Sequence, residues 1–113
     1  MKAMTISVCK PAEREFKKLP LQAQKAFVTY VKETLIKGEP SSLDTERFQS
    51  VHTSVVEVKV KGRPAGRMFY TKLVDGHIEI LAYATKSRNG QDPQIKSTVD
   101  GRFKDFKKQS GIK

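Results

Sequence analysis

Apolar and polar residues alternate near the start of the chain, and this alternation predicts a short first strand. Ile6 and Val8 share one face of residues 5–9 while polar side chains take the other. After residue 9 the apolar residues recur every three or four positions instead of every two, which is typical of an amphipathic helix.

Two helices are predicted after the first strand. Pro11 suits the first turn of the first helix, and Pro20 ends that helix or starts the next. The second helix is predicted over residues 21–37, where the apolar side chains at helical spacing are Phe27, Tyr30, Val31 and Leu35. Gly38 suits a C-terminal cap, and residues 39–54 have no clear period, so we interpret them as a loop.

Three strands are predicted next, over residues 55–61, 66–72 and 77–84, and in the first and the last of them successive side chains divide into two distinct faces. Asp75-Gly76 between the last two is a strong signal for a two-residue hairpin turn. A last helix is predicted over residues 94–109 from the spacing of Val99, Phe103 and Phe106.

This order of elements predicts a single α+β domain over residues 1–113, with the arrangement β-α-α-β-β-β-α. We expect an antiparallel sheet with its helices packed on one face. The other face would hold the basic residues of the three late strands.

Charge is distributed unevenly along the chain, whose net charge is +10. Residues 1–58 carry nine Lys and Arg against seven Asp and Glu (net +2), and residues 59–113 carry thirteen against five (net +8). This asymmetry favours an anionic partner for the second half, with nucleic acid ahead of an acidic protein.

There is no apolar run of the roughly 20 residues needed to cross a bilayer and no secretory signal, so we expect no membrane partner. The single cysteine, Cys9, fits a reducing cytoplasm.

The basic residues of the late strands are candidates for binding a phosphodiester. Arg67 is the first candidate, because a guanidinium presents paired donors to phosphate oxygens. Its alternative role is a solvated strand residue or a salt bridge to Glu57. Lys86 and Arg88, where the last strand opens into a loop, would hold the phosphate or neighbouring RNA, or would be ordinary loop charge. We expect RNA contacts from further basic residues, namely Lys59, Lys61, Arg63, Lys72 and Lys104.

The aromatic and metal-ligating residues give weaker signals. Tyr83 alternates with Ile78 and Ile80, so we expect it to be exposed and able to stack on a base or donate a proton. Tyr70 fits core or edge packing. The two histidines have no supported catalytic role, and no spacing of His and Cys predicts a metal site.

The segment over residues 55–93 resembles the RelE/ParE superfamily of bacterial toxins, and most of all its phage-derived HigB-like branch. The matching patterns are Val56-Glu57-Val58-Lys59-Val60 and Arg67-Met68-Phe69-Tyr70, followed by a hairpin, an apolar strand and a basic loop that ends in Pro93. The chain departs from the pattern at Leu81-Ala82-Tyr83-Ala84, which lacks a histidine common in the family.

The resemblance implies a toxin of a type II toxin–antitoxin system that cleaves messenger RNA on the ribosome without a metal or other cofactor. In such toxins the ribose 2′-hydroxyl attacks the adjacent phosphate, and Arg67, Lys86, Arg88 and Tyr83 would be the catalytic residues here. The implied partners are a cognate antitoxin, the ribosome and mRNA. Two alternatives stay open: a ParE-like inhibitor of DNA gyrase that is not a nuclease, and an inactive relic that binds an antitoxin.

Overall fold

The computed structural model describes residues 5–40, 43–49, 51–61, 65–74, 76–86 and 93–111. Within these ranges the strands are β1 (Thr5–Val8), β2 (Asp44–Arg47), β3 (Val55–Val60), β4 (Ala65–Thr71) and β5 (His77–Lys86). The helices are α1 (Lys10–Lys17), α2 (Leu21–Thr29) and α3 (Pro93–Gln109), and a π-helical segment, Tyr30–Ile36, continues α2. The predicted α+β class is confirmed.

The strands form one sheet in the order β1-β5-β4-β3-β2. β1 runs parallel to β5, whereas the other neighbours are antiparallel, so the sheet is mixed. The prediction of a loop over residues 39–54 is wrong for β2. All four residues of β2 are exposed at the sheet edge, so the strand has no buried side to produce an alternating apolar pattern.

Helices cover both faces of the sheet, which corrects the expectation of a single helical face. α1 and α2 pack on the face that carries Val58, Met68 and Ile80. Part of the opposite face packs against Val99 and Phe103 of α3, and the strand residues in this second cluster are Val55, Phe69, Leu81 and Ala82. The odd-numbered face of β3 and β4 is therefore apolar at one end and charged at the other, and its apolar end requires the cover that α3 provides.

A β-bulge in β5 reverses which side chains face α1 and α2. Phe69 pairs with Ala82, whereas the next residue of β4, Tyr70, pairs with Ile80, so Leu81 is an extra residue in β5. After this insertion Tyr83 joins Ile80 on the α1–α2 face.

The predicted helix cap and the predicted hairpin turn are both confirmed. Gly38 has a φ of 78°, and its amide donates to the Thr34 carbonyl at 3.1 Å, so it ends the second helix as a left-handed cap. At the hairpin between β4 and β5, the His77 amide donates to the Val74 carbonyl at 3.1 Å and Gly76 has a φ of 75°. Asp75 lies outside the described residues.

β4 crosses α2 at close range at Gly66. A Cβ built on Gly66 would lie 3.0 Å from the Ala23 Cβ and 3.2 Å from an edge carbon of Phe27. The absence of a side chain at Gly66 therefore lets β4 pack closely under α2, directly beside Arg67.

Among the helices of the described residues, none combines the length and the apolar character that a membrane span needs.

Candidate functional site

Arg67 lies on the face of the sheet opposite α1 and α2, in the strand that pairs with β3. Its Nε donates to Oε2 of Glu57, and the two side chains are 13% and 5% exposed. The guanidinium carbon lies 5.4 Å from the centroid of the Phe69 ring. The structure therefore shows the salt bridge to Glu57 that the sequence offered as the alternative role of Arg67.

This ion pair restricts the orientation of Arg67 without using all of its donors. A guanidinium carries five N–H donors, and the bond from Nε to Glu57 uses one of them. The contact with Phe69 adds a cation–π attraction that favours the same orientation. An arginine held in this way is preorganised for a bidentate contact to an anion, although Glu57 also offsets its charge.

Lys59, directly opposite Arg67 on β3, is also paired. Its Nζ lies 2.9 Å from Oε2 of Glu46, and this bond, reinforced by the charge of Glu57, raises the pKa of Lys59 above its ordinary value. Lys59 therefore keeps its proton near neutral pH and is not suited to act as a general base there. Glu46 was not predicted as the partner of Lys59, because it belongs to the unpredicted strand β2.

The remaining predicted RNA contacts are dispersed. Lys61 is exposed just beyond β3, whereas Lys72 is exposed beyond the far end of β4, about 16 Å from Arg67 at strand spacing. Lys104 is an exposed residue of α3, 3.0 Å from Oδ2 of Asp100. The structure brings Lys59 and Arg67 together, but not Lys72.

The end of β5 lies beside Arg67. The backbone of Lys86, the last residue of β5, pairs with Ala65 in β4, two residues before Arg67, and Ala84 pairs with Arg67 itself. Arg63 and Arg88 lie outside the described residues. The backbone register thus places the start of the predicted basic loop next to the Arg67 end of β4.

Tyr83 does not belong to this face, and the expectation that it is exposed is wrong. It is 6% exposed and packs edge-on against Phe16, with 5.1 Å between ring centroids. Burial raises the pKa of its phenol to about 12. Tyr70 is confirmed as a core residue, hydrogen-bonded to the hydroxyl of Tyr30 at 3.2 Å. The missed bulge explains the error for Tyr83.

The two histidines take part in local contacts that seat the last helix. His77 lies 3.2 Å from Glu79 and stacks on Phe106. His52 bonds to Ser54 at 2.8 Å and packs against Phe103. Within the described residues, no group of three or more His, Cys, Asp or Glu side chains could hold a metal ion.

A second ion pair, not predicted from the sequence, holds the sheet at the bulge. Arg102 of α3 and Glu15 of α1 form a bidentate pair with N–O distances of 2.7 and 2.9 Å. Arg102 also donates to the Leu81 carbonyl at 2.8 Å, and Glu15 accepts from the Tyr83 amide at 3.1 Å. These backbone groups of β5 lie beyond Ile80, the last residue of β5 that pairs with β1. Because β1 offers them no partner, the side chains of Glu15 and Arg102 supply their hydrogen bonds.

Comparisons with solved structures find a similar fold in a bacterial toxin and in a toxin–antitoxin complex. The chain is similar to a free-state double arginine-to-alanine mutant of the E. coli toxin RelE, with 13% identity and a TM-score of 0.65 over 88% of this chain and 97% of that one. It is also similar to a chain of the RelBE2 toxin–antitoxin complex from Mycobacterium tuberculosis, with 19% identity and a TM-score of 0.52 over 74% of this chain and 99% of that one. No family model and no curated protein matches the sequence. The comparisons therefore show a RelE-like fold.

Proposed function

We propose that this chain is the toxin of a type II toxin–antitoxin system and that it inhibits translation by cleaving mRNA on the ribosome. The observation that carries the proposal is Arg67, an arginine fixed by Glu57 and Phe69 on the charged end of a RelE-like sheet. The backbone of Lys86 lies on the adjacent strand. An anchored cation of this kind suits a phosphate that gains negative charge in the transition state.

In the proposed reaction the 2′-oxygen of a ribose attacks the neighbouring phosphorus while the bond from phosphorus to the 5′-oxygen breaks. The 2′-hydroxyl loses its proton to a base, and the departing 5′-oxygen gains one. The products are a 2′,3′-cyclic phosphate and a 5′-hydroxyl. Arg67, with Lys86 and Arg88, would stabilise the pentavalent phosphorane, and Lys59, whose pKa is raised by Glu46, would stay protonated and add positive charge.

The roles proposed for the other basic residues are weaker than the role of Arg67. Lys61 and Arg63 follow β3 in sequence and would contact RNA near Arg67. Lys72 and Lys104 would contact more distant RNA. Burial removes Tyr83 from the proposed catalytic set. The proposed partners are the ribosome, mRNA and a cognate antitoxin, all in the cytoplasm.

A gyrase inhibitor of the ParE type is the second candidate, and the charge balance of the site favours it. Arg67 and Lys59 are each paired with a carboxylate, so the local positive field is weaker than the sequence indicates. A binding surface would tolerate such neutralisation better than a phosphoryl-transfer site.

The two candidates predict different cellular responses to controlled expression. The nuclease would stop protein synthesis first, whereas the gyrase inhibitor would induce a DNA-damage reporter first. We expect growth arrest with a fall in amino-acid incorporation and no early reporter signal. Early induction of the reporter with protein synthesis intact would contradict the nuclease proposal and support the second candidate.

A further inference from the structure

The charged end of the sheet holds two ion pairs that differ in exposure. Arg67 and Glu57 are largely buried. Lys59 and Glu46 lie at the surface, with side chains 38% and 67% exposed and 2.9 Å between Nζ and Oε2. Removing one partner from a buried ion pair is costly, whereas an exposed pair contributes little to stability. The pair of Lys59 and Glu46 is therefore the one that a ligand can open.

Lys59 and Arg67 are placed to share one anion. They lie directly opposite each other in the register of β3 and β4, so their Cβ atoms are about 5 Å apart on the same face of the sheet. On the other side of Arg67 lies Ala84 of β5, whose methyl group carries no competing charge. Between described residues, Arg67 makes one side-chain hydrogen bond, from Nε to Glu57, which leaves its terminal nitrogens unused. A bridging phosphate would accept from these nitrogens and from Nζ of Lys59.

The edge strand β2 brings two carboxylates to the same face. Asp44 is opposite Lys59 and Glu46 is opposite Glu57, and directly opposed residues of neighbouring strands share a face. Both β2 residues are exposed, and Asp44 forms no ion pair with another described residue. Across β2, β3 and β4, the charged residues of this face are Asp44, Glu46, Glu57, Lys59 and Arg67. The two residues of β2 therefore change the charge of these strands on this face from positive to negative.

The contact between Glu46 and Lys59 stabilises the charged form of both groups. Their hydrogen bond is the main cause that lowers the pKa of the Glu46 carboxyl and raises the pKa of the Lys59 amine. Both groups are therefore ionised near neutral pH, and a change of pH in this range does not release the lysine. Release requires an anion that binds Lys59 more strongly than Glu46 does.

We propose that Glu46 is an internal competitor of the RNA backbone for Lys59 and that it determines which anions the site accepts. An anion that reaches Lys59 alone gains no more than Glu46 already provides. A phosphate that bridges Lys59 and Arg67 gains the contacts of two cations and displaces the carboxylate. The inference rests on the proposed function in one respect, since it takes Arg67 as the residue that binds RNA phosphate.

This competition also lowers the affinity for RNA that arrives from solution. An RNA phosphate must overcome the repulsion of Asp44 and Glu46 as well as the existing bond to Lys59. Like charges at a binding surface slow encounter and weaken binding. RNA held in place by the ribosome depends less on this affinity, because positioning replaces the encounter step. The carboxylates of β2 would thus favour presented RNA over free RNA.

The test measures binding to the full chain in the absence of ribosomes. The probe is a fluorescein-labelled 2′-O-methyl RNA of about ten nucleotides, a usual length for a single-strand site, and it has no 2′-hydroxyl to attack. A polyglutamate peptide of similar length is the carboxylate competitor, and backbone NMR shifts with inorganic phosphate locate the site. We expect Glu46→Gln to bind the RNA about three- to tenfold more tightly than wild type, because a neutral amide competes weakly for Lys59 and does not repel phosphate. The largest shifts should surround Lys59 and Arg67.

Two further variants make the test specific. Glu33→Gln is the matched control, because Glu33 forms an exposed ion pair with Lys37 at 3.4 Å in the helical layer of the other sheet face. It makes the same change in charge and should alter the RNA affinity by less than about twofold, since the charge is screened at that distance. Glu46→Gln/Lys59→Gln should bind no more tightly than Lys59→Gln alone, because Glu46 acts through Lys59.

Several results would overturn the inference. These are an RNA affinity that Glu46→Gln leaves unchanged or weakens, an equal gain in Glu33→Gln, or a gain that persists when Lys59 is also replaced. Polyglutamate that displaces the RNA from wild type as well as unlabelled RNA does, or phosphate shifts centred away from β3 and β4, would also do so. The assay contains no ribosome and reads no cleavage. Tighter binding by Glu46→Gln without cleavage in cells would therefore contradict the nuclease proposal alone, and cleavage in cells with an unchanged affinity would contradict this inference alone.

Discussion

Arg67 and Glu57 depend on each other. Both side chains are largely buried on the charged end of the sheet, and the carboxylate is the more enclosed of the two. Removing the arginine would leave a buried negative charge without its partner, which is costly in a folded protein. The residue proposed for chemistry is therefore also a structural residue.

We expect Arg67→Ala to lower the free energy of unfolding by about 3 kcal/mol. Glu57→Gln should cost less, because the amide oxygen can still accept from Nε of Arg67 and the unpaired charge then lies on the more exposed of the two side chains. The double variant Glu57→Gln/Arg67→Gln should recover most of the loss, since no buried charge remains. Urea denaturation of the purified variants measures these differences, and equal destabilisation by Arg67→Ala and by the double variant would contradict the account.

Tyr83 shows how a local backbone irregularity changes the role of a residue. We expect Tyr83→Phe to leave the proposed cleavage activity within about twofold of wild type, because the phenol is buried on the other face of the sheet and, with a pKa raised to about 12, stays neutral at pH 7. Tyr83→Ala should destabilise the fold by about 3 kcal/mol or more through loss of packing. A large loss of activity in a stable Tyr83→Phe protein would restore Tyr83 to the catalytic set.

At the scale of elements, the ion pair between Glu15 and Arg102 connects three parts of the fold. It joins α1 to α3 and satisfies two backbone groups of β5 around Leu81. The Cys9 thiol also donates to the Leu81 carbonyl, at 3.1 Å. The bulge that turns Tyr83 inward is thus supported from both faces of the sheet.

A double-mutant cycle tests this connection. We expect Glu15→Ala and Arg102→Ala each to destabilise the protein, with a coupling free energy of about 1 to 2 kcal/mol in the double variant. The pair Lys104→Ala and Asp100→Ala is the matched control, because it is an ion pair on α3 with Lys104 72% exposed and should couple by less than about 0.5 kcal/mol. Equal coupling in the two cycles would mean that the pair at Leu81 is an ordinary surface contact.

At the scale of the whole molecule, periodic patterns predicted the helices and the four strands that have a buried side. Val58 and Ile80 show why, since their alternation with polar residues follows directly from one buried face. β2 could not be predicted in this way, because Asp44 to Arg47 are all exposed, so the strand has no buried side. The bulge at Leu81 could not be predicted for a different reason. One extra residue shifts the register of the strand but does not require a characteristic residue type.

The candidate site was predictable in part. Arg67 was identified together with Glu57 as a possible partner, and the structure shows that contact. The contact of Glu46 with Lys59 could not be predicted, because Glu46 belongs to β2, which was not predicted. The ion pair between Glu15 and Arg102 joins residues 87 positions apart. Contacts of such sequence separation depend on how helices pack on the sheet, which no local pattern encodes.

The most direct measurement of the central proposal is a map of mRNA 5′ ends shortly after controlled expression. Wild type, Glu57→Gln and Glu57→Gln/Arg67→Gln should be compared at equal protein levels. We predict new 5′ ends inside translated reading frames for the first two and a reduction of about 100-fold or more for the double variant, because it lacks the cation that stabilises the phosphorane. Growth arrest with unchanged 5′ ends, or undiminished cleavage by the double variant, would contradict the account.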